Sequence, residues 1–73
     1  MLSKVQATML VENEMTATHE VEFYKEVPTA YVFVCKNRIK DAIPDKIIAA
    51  INKESGNMAY SVYDVDAAVA RAK

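Results

Sequence analysis

The chain has 73 residues, 52% of them hydrophobic and 26% charged, with one cysteine, one glycine and a net charge of −1. That length makes one domain, burying only about 60% of the surface its unfolded form exposes, so stability calls for a well-packed core or a partner chain. The composition excludes disorder, the lone Cys35 excludes an internal disulfide, Cys35 and His19 cannot make a structural zinc site, and a single glycine leaves no phosphate-cradling loop.

Val5, Ala7, Met9 and Val11 alternate with Lys4, Gln6 and Thr8, which predicts a half-buried strand. The charged Glu12-Asn13-Glu14 ends it as a turn. A second strand follows from about Thr16 to Glu26, with His19, Val21 and Phe23 on one face and Glu20, Glu22, Tyr24 and Glu26 on the other. Lys25 to Pro28 is a short connection between antiparallel neighbours. The third strand, Thr29 to Cys35, is apolar on both faces, with Tyr31, Phe33 and Cys35 opposed to Val32 and Val34. It belongs between two covering layers or in mid-sheet.

The basic connector Lys36-Asn37-Arg38-Ile39-Lys40 leads into a segment whose Ile43, Ile47, Ile48 and Ile51 share one side of a helix at 100° per residue. Pro44 suits its first turn, Asp45 its positive end, and Gly56 a left-handed residue beyond its C-terminus. Met58 to Tyr63 forms a fourth strand. Asp64 then caps a short last helix from Val65 to Ala72, unless the strand runs on to Val65. The order β-β-β-α-β-α predicts an α+β domain: a small mixed or antiparallel sheet, its first three strands a meander, with the helices packed on one sheet face. The other face is left to solvent or to another chain.

No apolar run approaches the roughly 18 residues of a membrane span, and no secretory core follows Lys4, so a cytoplasmic protein with no membrane partner is expected. Catalysis finds little support. Glu20, Glu22 and Glu26 lack a desolvating pocket to part their pKa values, and fit a solvated strand face. His19 as a base beside Cys35 or Ser61 is set against a satisfied or exposed histidine next to threonine and glutamate, the ordinary case. The chain is therefore expected to be no enzyme and to need no cofactor or metal.

Two binding surfaces remain. If Tyr24 and Tyr63 share a sheet face, they form an aromatic patch rimmed by Glu20, Glu22 and Glu26, which suits a protein partner. Lys36, Arg38 and Lys40, beside the start of the expected helix, are candidates for gripping phosphates. A sequence pI near 5.7 and five glutamates in the first half weigh against a nucleic-acid surface. The function expected is a small interaction module, a regulator, inhibitor or accessory subunit that occupies a partner protein's surface and associates with itself. The alternative is a nucleic-acid- or nucleotide-binding regulator using Lys36 to Lys40.

Overall fold

The computed structural model describes residues 1–62 and 64–73. Its first element corrects the sequence reading: residues 4–15 are a helix, α1 (Lys4–Met15), and not a strand. The start is fixed by a capping box. The Ser3 hydroxyl accepts from the Gln6 N–H at 3.1 Å, and the Gln6 side chain accepts from the Ser3 N–H at 2.9 Å, supplying partners that a helix start otherwise lacks. Ala7, Val11 and Met15, spaced i, i+4, i+8, make the buried stripe.

Four strands follow: β1 (His19–Val27), β2 (Ala30–Asn37), β3 (Lys46–Asn52) and β4 (Met58–Ser61), then a helix α2 (Val65–Arg71). The strands form one antiparallel meander in the order β1-β2-β3-β4. A second correction lies at β3, where the isoleucine-rich segment pairs with β2 instead of coiling, with Phe33 opposite Ala49, Val34 opposite Ile48 and Cys35 opposite Ile47. β-branched side chains at Ile47, Ile48 and Ile51 favour the strand. Gly56 does sit at φ 74, but in the β3–β4 turn. There its N–H reaches the Asn52 carbonyl at 3.0 Å, and the Asn52 side chain accepts from the N–H groups of Glu54 and Ser55.

The α+β class and the small antiparallel sheet thus stand, with the element order α-β-β-β-β-α. The expectation that both helices pack on one face does not. Tyr31, Phe33, Cys35, Ala49 and Ile51 pack with Ala7, Val11 and Met15 of α1, whereas Ala30 and Ala50 pack with Ala68 and Ala72 at α2. Successive strand residues point to opposite faces, so the helices lie on opposite sides of the sheet. The physical reason is the double-sided apolar character of β2 and β3: each face needs a cover, and each helix supplies one. On the α1 side the rings of Phe23 and Phe33 meet edge to face, centroids 5.6 Å apart. The C-terminal segment therefore roofs part of the face that the sequence left to another molecule. No helix among the described residues is long and apolar enough to cross a membrane.

Candidate protein-docking face

The cover supplied by α2 is incomplete. The helix is seven residues long, lies chiefly over β3 and β4, and packs toward the end of the sheet that holds Ala30, Ala50 and Ala59. At the opposite end the same face stays open. There Glu20, Lys36 and Lys46 form one row across β1, β2 and β3, and Glu22, Val34 and Ile48 form the next.

Tyr24 reaches this face through a β-bulge. Phe23 pairs with Phe33 and Lys25 pairs with Val32, so Tyr24 is the extra residue of β1 and stands 54% exposed. With Val34, Lys46, Ile48, Val62 and Val65 it lines a groove of about 360 Å³. The floor is apolar, with Glu20 and Glu22 along the β1 side and Lys36 and Lys46 at the end. Lys36 and Lys46 face each other directly, an unfavourable pair that Glu20, opposite Lys36, offsets.

The structure thus brings Tyr24, Glu20 and Glu22 together on one face, as the sequence places them. Tyr63, their expected companion, lies outside the described residues. Five groove residues, Val34, Lys46, Ile48, Val62 and Val65, were missed. The signal for Val34 and Ile48 was present in the double-sided apolar pattern of β2, had β3 been read as its neighbour.

The basic segment divides. Lys36 belongs to the sheet face, and Lys40 stands exposed in the connector beside Asp41, which has φ 63. Arg38 is engaged structurally: its Nε donates to the Thr16 carbonyl at 2.9 Å, its N–H to the Thr18 carbonyl at 3.0 Å, and its guanidinium lies 3.8 Å from Glu20. It fastens the exit of β2 to the α1–β1 connection. The helix start that was to add N–H donors beside these cations is absent, because β3 occupies that segment.

His19 and Cys35 lie on the same sheet face in adjacent rows of β1 and β2, but no hydrogen bond joins them. Cys35 is fully buried, and burial pushes its thiol up to about 11, which keeps it from the nucleophilic thiolate form. His19 Nδ1 is 2.7 Å from the Thr18 hydroxyl. Glu26 is paired with Lys53, on the α1 side of the sheet. Among the described residues no group of three or more His, Cys, Asp or Glu side chains is placed to hold a metal ion. Compared with known proteins, the chain matches no family model, no curated protein and no solved structure.

Proposed function

We propose that this protein is a small non-enzymatic interaction module, a regulator, inhibitor or accessory subunit in the cytoplasm, that acts by seating its open sheet face on another protein. The observation that carries this reading is the unroofed end of the α2-side face, where Tyr24, Val34, Ile48, Val62 and Val65 make an apolar groove with charges of both signs at its margin. Apolar surface at the centre with a polar rim is the anatomy of protein interfaces, and a half-exposed tyrosine at a bulge is a suitable anchor.

The test is affinity capture from the source cell with wild-type and altered chains as bait. A partner held by the wild type should be lost with Tyr24→Ala and with Val62→Glu, and kept with Lys40→Glu, since Lys40 lines no part of the groove. The nucleic-acid alternative requires the reverse, together with DNA or RNA binding that weakens steeply with added salt.

A further inference from the structure

The two edges of the sheet differ. β1 carries Glu20, Glu22, Lys25 and Glu26 and is broken by the bulge at Tyr24, both of which discourage pairing with another strand. β4, Met58-Ala59-Tyr60-Ser61, has no charge and no bulge. The Asn52 N–H donates to the Asn57 carbonyl at 2.9 Å. In an antiparallel ladder alternate residues face a given neighbour, so Ala59 and Ser61 turn to β3 while Met58 and Tyr60 turn their main-chain groups outward. Arg71 of α2 confirms the direction, donating from Nη1 to the Tyr60 carbonyl at 3.1 Å.

We propose that this edge receives a second copy of the same chain, β4 pairing antiparallel with β4 about a two-fold axis near Ala59, so that the two sheets become continuous. Met58 of each copy then meets Tyr60 of the other through their outward N–H and C=O groups.

A copy fits this edge better than an unrelated strand because of what α2 brings. The helix lies over β3 and β4; with strands about 4.8 Å apart, the two α2 axes come roughly 10 Å apart, the spacing at which helices pack. Ala67, on the same flank of α2 as Arg71, is small enough for that approach. Each α2 is acidic at its start, with Asp64 and Asp66, and basic at its end, with Arg71 and Lys73. Antiparallel about the two-fold axis, each acidic start lies against the other copy's basic end. Arg71 then exchanges the Tyr60 carbonyl for the carboxylates of the other copy and frees that carbonyl for β4. The proposal uses no residue of the Tyr24 groove, so either can fail without the other.

Sedimentation equilibrium of the purified chain tests it. The wild type should show twice the 8.1 kDa of one chain. Arg71→Glu should raise the dissociation constant by about tenfold or more, since two symmetry-related pairs become repulsive. The double variant Asp66→Arg/Arg71→Glu should restore most of the affinity. Met58→Pro should abolish pairing, because it removes an N–H that β3 does not use, with circular dichroism checking the fold. If that variant does not fold, the charge series decides alone. A wild type of single-chain mass up to about 1 mM, or a dimer indifferent to both charge variants, overturns the proposal; the latter outcome assigns the edge to some other contact.

Discussion

The ammonium of Lys53 meets the carboxylate of Glu26 at 2.5 Å, with Lys53 only 8% exposed and its Nζ 5.2 Å from the ring centroid of Tyr31. This pair exists because of the bulge. In a regular strand Glu26 would share the face of Glu20 and Glu22; the extra residue at Tyr24 moves it opposite Tyr31, onto the α1 side. Lys53 also donates its N–H to the Thr29 carbonyl, and its own carbonyl accepts from the Leu2 N–H, so it ties the N-terminus, the β1–β2 turn and the end of β3.

Glu26→Ala should therefore cost about 1–2 kcal/mol in urea denaturation, because it strands a largely buried ammonium, while the half-exposed carboxylate keeps the figure modest. Glu20→Ala should stay within about 0.5 kcal/mol. Equal losses at the two positions would mean that the three glutamates do share one face.

Val5 and Val11 make a second contrast. A strand would put both on the same face, but α1 turns Val5 outward, 68% exposed, and buries Val11 completely. Val11→Asp should cost about 3 kcal/mol or more, enough to unfold a domain this small, and Val5→Asp should be nearly neutral. Thermal melts of the two variants decide between strand and helix without a new structure.

Both misread elements failed for the same physical reason. α1 carries apolar side chains on its solvent side as well, at Val5, Met9 and Leu10, so the 3.6-residue rhythm of Ala7, Val11 and Met15 was masked by an accidental alternation. The better signal was local: Ser3 followed three residues later by Gln6 is the sequence mark of a capping box. β3 is apolar on both faces, so its isoleucines obey no period and satisfy a helical one by chance. β1, β2, β4 and α2 were legible because their patterns match one-sided burial, the apolar run of a central strand, or a cap at Asp64. The groove was only half legible. Tyr24, Glu20 and Glu22 follow from β1 alone, whereas Val34 and Ile48 become neighbours only through the β2–β3 pairing.

Cys35 offers a test by pH. Its buried thiol keeps its proton to about 11, against 9.0 when unperturbed, so between these values the folded chain holds a proton that the unfolded chain has lost. The thiol's contribution is full below about pH 9 and declines as pH rises toward 11, with a slope of at most about 1.4 kcal/mol per pH unit. The difference in stability between wild type and Cys35→Ala should narrow over that window. At pH 8 a thiol reagent should label the native protein only as fast as the core opens; prompt labelling would refute the burial.

Tyr24 supports the sharpest separation of fold from function. Deleting one residue from a strand ordinarily throws every later side chain to the wrong face. Here the ladder already steps from Phe23 to Lys25, opposite Phe33 and Val32, so excising Tyr24 leaves all these partners in place. The deletion should cost no more than about 1–2 kcal/mol, whereas deleting Val21, which pairs with Cys35, should misplace the α1-side core residues on one side of the break and unfold the chain. The chain lacking Tyr24 should keep its circular dichroism spectrum and lose the protein partner proposed for the groove. If it unfolds, the residue is structural and the bulge is not a mount for an anchor. If it folds and still binds, the anchor lies elsewhere on the face, with Val62 the next residue to change.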